Sequence, residues 1–109
     1  MEIKRLKDLE RFSAETMAKV NLFETPRFFL DIYCLEPGQE QKVHAHTRND
    51  KVYCAVRGAV KAIVGAETCE LREGECVLAK AGEPHGVKND SGERAVLLVL
   101  MAPHPSSGS

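Results

Sequence analysis

Lys42-Val43-His44-Ala45-His46, after the turn Pro37-Gly38, and Gly82-Glu83-Pro84-His85-Gly86-Val87-Lys88-Asn89 carry three of the chain's four histidines in two short stretches. Successive strand residues face opposite ways, so His44 and His46 are expected on one face, where His85 can close on them. Converging neutral imidazoles suit a borderline-soft divalent metal. A single strand histidine is more often an ordinary polar side chain; the second stretch makes the three into candidate ligands.

The rest of the chain has the same short rhythm. Turn residues recur at Pro37-Gly38, Gly58, Gly65, Glu73-Gly74, Ala81-Gly82 and Asp90-Ser91-Gly92. Between them, β-branched, aromatic and apolar runs predict strands at 18–23, 28–35, 42–46, 52–57, 60–64, 68–72, 76–79, 85–88 and 94–101. Many short, evenly spaced strands indicate an all-β sandwich or barrel. Ile3, Leu6 and Leu9, alternating with Arg5, Lys7, Asp8 and Glu10, predict a short amphipathic helical turn ahead of it.

At 109 residues the chain suffices for one domain, expected over 1–102. Residues 103–109, Pro-His-Pro-Ser-Ser-Gly-Ser, are expected to form a tail with nothing to pack against, leaving His104 solvated. A net charge of -1 offers no basic footprint for nucleic acid. No apolar run is long enough to span a membrane and no signal peptide is evident, so a cytoplasmic protein is expected. Cys34, Cys54, Cys69 and Cys76 lack C-x-x-C spacing and mostly sit in apolar runs, which predicts free, buried thiols. Motifs of nucleophilic hydrolases and phosphate-binding loops are missing, and Glu67, Glu70, Glu73 and Glu75 read as a solvated acidic face.

Phe28–Leu35 and Ala95–Met101 are apolar on both faces. One face fills the barrel and the other needs further cover, from a second sheet or a second subunit. A twofold homodimer is the expected assembly.

The spacing from Gly38 through His44 and His46 to Gly58 resembles the first motif of the cupin superfamily, G(X)5HXH(X)4E(X)6G. The stretch from Gly74 through Gly82 and His85 to Asn89 resembles the second, G(X)5PXG(X)2H(X)3N. The resemblance covers about half the chain in the correct order. It implies a small single-domain cupin, a jelly-roll barrel with a metal on His44, His46 and His85. Two positions depart from the pattern. Lys80 replaces a proline, and Lys51 replaces the glutamate that completes the family's metal site.

Lys51 leaves three outcomes open. It turns away while water, or Asp50 through a bulge, completes the shell; it sits in the pocket with a depressed pKa; or its ammonium replaces the metal. A solvated side chain at the barrel rim is the simplest alternative. Tyr53 shares the face of Lys51 and is a second candidate pocket residue, although a core role is commoner for tyrosine. The leading functional expectation is a barrel with a three-histidine divalent metal (Fe, Ni, Zn, Mn or Cu) that binds or transforms a small molecule. With iron, the resemblance implies O2-dependent cleavage of an enolic, diketone or thiol substrate, Lys51 pairing with an anionic group. The alternative is a metal-free module that captures an anionic metabolite through Lys51 and the histidines. The fold alone does not choose between them.

Overall fold

The computed structural model describes residues 1–105 of the 109-residue chain. A single helical turn, α1 (Leu6–Leu9), precedes nine strands: β1 (Ala18–Thr25), β2 (Phe28–Leu35), β3 (Glu40–His44), β4 (Asp50–Arg57), β5 (Val60–Val64), β6 (Glu67–Leu71), β7 (Cys76–Ala79), β8 (His85–Lys88) and β9 (Ala95–Ala102). They form two antiparallel sheets, ordered β1-β2-β9-β4-β7 and β3-β8-β5-β6. This is the expected jelly roll. All nine predicted strands are present with ends within two residues of those expected, because glycines with positive φ, among them Gly38, Gly65 and Gly82, stand where the sequence places turns.

Alternation places Tyr33 and Leu35 of β2, Tyr53 and Ala55 of β4 and Leu97 and Val99 of β9 inside the barrel, packed against Val60, Ala62 and Val87 of the smaller sheet. Two glycines set how closely the chain approaches itself. A Cβ on Gly86 would lie 2.7 Å from Gln41 O, so glycine lets β8 press against β3. A Cβ on Gly58 would lie 2.5 Å from Arg94 O, and its φ is +72°.

The outward faces of β2 and β9 are covered in large part by the chain itself. Leu6, Leu9 and Phe12 pack on Ala18, Leu22, Ile32, Cys34 and Val96. Polar contacts pin this N-terminal segment down: Arg57 to Glu10 at 2.8 Å, Gln39 Nε2 donating to Ser13 O at 2.6 Å, and the Arg94 guanidinium 4.3 Å from the Phe12 ring centroid. Much of the cover expected from a second copy is therefore supplied internally. Val56, Leu78 and Leu100 remain exposed.

Three expectations need correction. The tail has partners as far as His104, since Asn49 Nδ2 donates to Pro103 O at 2.6 Å and His104 packs edge-on against Phe29 with Nε2 2.8 Å from Glu24. His104 is therefore not a solvated residue; positions 106–109 lie outside the described residues. Of the four free thiols, Cys34 alone is fully buried, because the N-terminal segment covers the outer face of β2; Cys54 is partly buried, and Cys69 and Cys76 are exposed. Finally, β3 ends at His44, so His46 is not a strand residue. No helix among the described residues is long and apolar enough to cross a membrane.

Candidate metal centre

His44 and His85 are cross-strand partners in the β3–β8 ladder. The register slips between Gln41 and His44, a local bulge that sets this pairing. His46 arrives differently. Its carbonyl accepts from Gly82 N–H at 2.8 Å, which ties the loop after β3 to the turn before β8. The three rings converge, with centroids 4.5 Å apart for His44–His85, 5.0 Å for His44–His46 and 5.7 Å for His46–His85. One nitrogen from each ring lies within 4.8 Å of the others.

Two tautomers are fixed by backbone carbonyls. His44 Nδ1 is 2.8 Å from Lys42 O and His85 Nδ1 is 2.9 Å from Glu83 O; a carbonyl only accepts, so both Nδ1 atoms carry the proton. Both Nε2 atoms then present lone pairs. His85 is 1% exposed, and its Nε2 is buried with no hydrogen-bond partner. An orphaned acceptor beside two further imidazoles is the donor set of a metal site whose ligand rings are oriented by second hydrogen bonds. Burial, and then the neighbouring charges of His44 and Lys51, push the His46 pKa down. Burial is also the main influence lowering His85, opposed by its bond to Glu83 and reinforced by Lys51. Both shifts favour the neutral imidazole, the state a metal requires.

Lys51 does not turn to solvent. Opposite Met101 and Ala79 in the register of β4, it is 2% exposed, which removes the rim reading. Its Nζ donates to Gln41 Oε1 at 3.1 Å and lies 5.5 and 5.2 Å from the ring centroids of Tyr33 and Tyr53. Burial, with Lys19 adding repulsion and Asp31 opposing, lowers its pKa to about 8. Asp50 is engaged elsewhere, its Oδ1 accepting from Ala81 N–H at 2.9 Å.

Gln41 organises the floor of the site. Its Oε1 accepts from both Lys51 and the Tyr53 hydroxyl (2.7 Å), while Nε2 donates to the Tyr33 hydroxyl at 3.1 Å. Tyr53 is fully buried beneath the cavity, its ring 6.1 Å from His85. Burial raises the pKa of Tyr33 to about 12 and that of Tyr53 further, so both remain protonated donors. A cavity of about 440 Å³ opens above, lined by Lys19, Phe29, Tyr33, Gln41, His44, His46, Lys51, Met101 and Pro105. Gln41, Tyr33 and Lys19 escaped the sequence reading. Gln41 falls among the freely variable positions of the first motif, and the other two sit on strands distant in sequence. Asn89 is structural: buried, it donates to Leu35 O (3.1 Å) and Glu93 O (2.7 Å) and accepts from Ser91.

The Cupin domain family model matches residues 31–101, and the chain belongs to the cupin family. It is 31% identical over 106 residues to an uncharacterized protein of Streptomyces coelicolor, covering 94% of this chain and 98% of that one. It is similar to the crystal structure of TT1209 from Thermus thermophilus, with 50% identity, a TM-score of 0.94 and coverage of 96% and 100%. An uncharacterized conserved protein with a double-stranded β-helix domain from Klebsiella pneumoniae shares the fold at 23% identity and TM-score 0.87, covering 94% and 90%.

Proposed function

We propose that this cupin holds a divalent transition metal on His44, His46 and His85 and binds a small anionic molecule beside it. The observation that carries the reading is His85 Nε2, a buried acceptor without a partner whose ring is fixed by Glu83 O. Leaving such an atom unpaired is unfavourable by about 1–3 kcal/mol, and a metal removes that penalty. When bound, the metal supplies Lewis acidity toward a substrate oxygen or sulfur and, if it is iron, the means for O2-dependent oxidation of an enolic, diketone or thiol substrate.

The chain's own groups define what is recognised. Lys51, positive over much of the neutral pH range, and Lys19 face the cavity and favour an anionic group such as a carboxylate or enolate. Phe29, Tyr33 and Met101 provide apolar contact for the remainder of the ligand. Tyr53 holds Gln41, and Gln41 holds Lys51, so the ammonium is positioned before the ligand arrives.

Titration of metal-stripped protein with Ni(II), Co(II), Zn(II) and Fe(II), followed by calorimetry and thermal melting, tests the reading. It expects one equivalent bound, a raised melting temperature, and loss of both in His85→Ala. A second reading, a metal-free anion-binding module, is favoured by the buried ammonium at the family's glutamate position. It expects stabilisation by carboxylates or phosphates and none by metal.

A twofold homodimer is part of the proposal, supported by the exposed Val56, Leu78 and Leu100. Light scattering giving twice the chain mass supports it; a monomer at micromolar concentration removes it. A cytoplasmic setting is proposed as well, supported by four free cysteines.

A further inference from the structure

Cys54 on β4 and Cys76 on the edge strand β7 lie directly opposite each other, although 22 positions separate them in the chain. Ala55 N–H donates to Glu75 O at 2.9 Å, so the adjacent Cys54–Cys76 pair occupies a non-hydrogen-bonded position, where opposite side chains approach most closely. Opposite Cα atoms at such a position fall within the span a disulfide requires. The two sulfurs are in contact at 2.6 Å. Cys54 is partly buried between Leu98 of β9 and Cys76, while Cys76 is exposed. Neither thiol belongs to the histidine site, and the barrel's packing does not require a matched pair there.

We propose that Cys54 and Cys76 are a reversible thiol–disulfide couple, oxidised by low-molecular-weight disulfides to an intramolecular bond that staples edge strand β7 to β4. Cys76, the more accessible sulfur, loses its proton to solvent and attacks one sulfur of the small disulfide, releasing a thiolate. Cys54 then loses its proton and attacks the Cys76 sulfur of the mixed disulfide, expelling the second thiolate. Two electrons and two protons pass from the cysteine pair to the small disulfide, which becomes two thiols. Burial and the neighbouring Cys76 sulfur raise the Cys54 pKa to about 11, in keeping with Cys76 acting first. Since β7 bonds only to β4 within its sheet, and β4 carries Lys51 and Tyr53, oxidation fastens the outer edge of the ladder beneath the pocket. A switchable pair of this kind suits a reducing compartment, where disulfides are transient or redox-sensing.

The test equilibrates the folded protein with reduced and oxidised glutathione in varied ratio, quenches with acid, alkylates under denaturing conditions and reads intact mass and tryptic peptides. The expected product has lost two hydrogens and two alkylatable thiols, with the Val52–Arg57 peptide joined to Glu73–Lys80. Dithiothreitol reverses it, and the oxidised form melts at a higher temperature than the reduced one. Cys69, exposed on β6 of the other sheet, is the internal comparison and takes a glutathione adduct only. In Cys54→Ser, Cys76 retains its adduct and the upward melting shift disappears. Glutathione adducts that persist on Cys76 of the unmodified protein, or the other three thiols (Cys34, Cys54 and Cys76) remaining alkylatable while Cys69 is modified, would overturn the proposal. The outcome is independent of metal at the histidines.

Discussion

Replacing Lys51 with methionine removes a buried ammonium while keeping a straight chain of nearly the same length. The pKa of Lys51 falls from 10.5 to about 8 on folding, chiefly through burial. That difference is equivalent to about 3 kcal/mol disfavouring the charged form. A base with a depressed folded pKa releases its proton more readily in the folded chain than in the unfolded one. The penalty is therefore complete below pH 8 and absent above pH 10.5, and the unmodified protein gains stability as pH rises between those values. Methionine carries no such penalty. It forfeits the bond from Nζ to Gln41 Oε1, roughly 1 kcal/mol, but Gln41 keeps Tyr53 as a donor. Lys51→Met is thus expected to stabilise the metal-free chain by about 2 kcal/mol at pH 7, or roughly 10 °C in Tm. Urea unfolding of both proteins at half-unit steps from pH 7 to 10.5 is the assay. Comparing the two cancels the other lysines and tyrosines. A variant less stable than the parent at pH 7, or a difference that does not shrink across the window, would refute the reasoning.

The same ammonium opposes a dication, so Lys51→Met and Lys51→Glu should each tighten metal binding by roughly tenfold or more in calorimetry, with glutamate the stronger. Asn89→Ala should lose about 2–4 kcal/mol in urea unfolding, because it leaves the buried carbonyl of Leu35 without its amide donor. Gly86→Ala places a methyl 2.7 Å from Gln41 O; it should destabilise by about 1–3 kcal/mol and, by pushing β3 from β8, weaken metal binding more than stability alone explains. Lowered pKa values for His46 and His85 mean that the unfolded chain gains protons first as pH falls through 6.5. Stability of the metal-free protein should therefore decline below that pH, less steeply in His85→Asn, as measured by denaturant titration from pH 7 to 5.

The strand pattern is readable because turn residues and apolar alternation act locally. The two-faced apolar runs of β2 and β9 signal a need for outer cover, but alternation does not say what supplies it. Leu6, Leu9 and Phe12 do much of it, through contacts between residues far apart in sequence. Spacing finds the histidines, yet strand alternation is not what brings His44 and His46 together. His46 lies beyond the strand and is placed by the bond from Gly82 to its carbonyl. Gln41 is invisible to such patterns, since its role depends on Tyr33, Tyr53 and Lys51 meeting from two other strands.

The sequence by itself determined the jelly roll, the three candidate ligands and the fact that a lysine replaces the expected acid. Period-two alternation and turn chemistry point to an all-β sandwich or barrel, while the jelly roll and the acid expected at position 51 are what the resemblance to the two cupin motifs implies. Only the tertiary structure decided where Lys51 points, which tautomers His44 and His85 adopt and that His85 Nε2 is left without a partner. The physical reason is that each of these depends on burial and on hydrogen bonds between side chains and backbone brought together by the closing of two sheets, quantities to which no single segment of the chain has access.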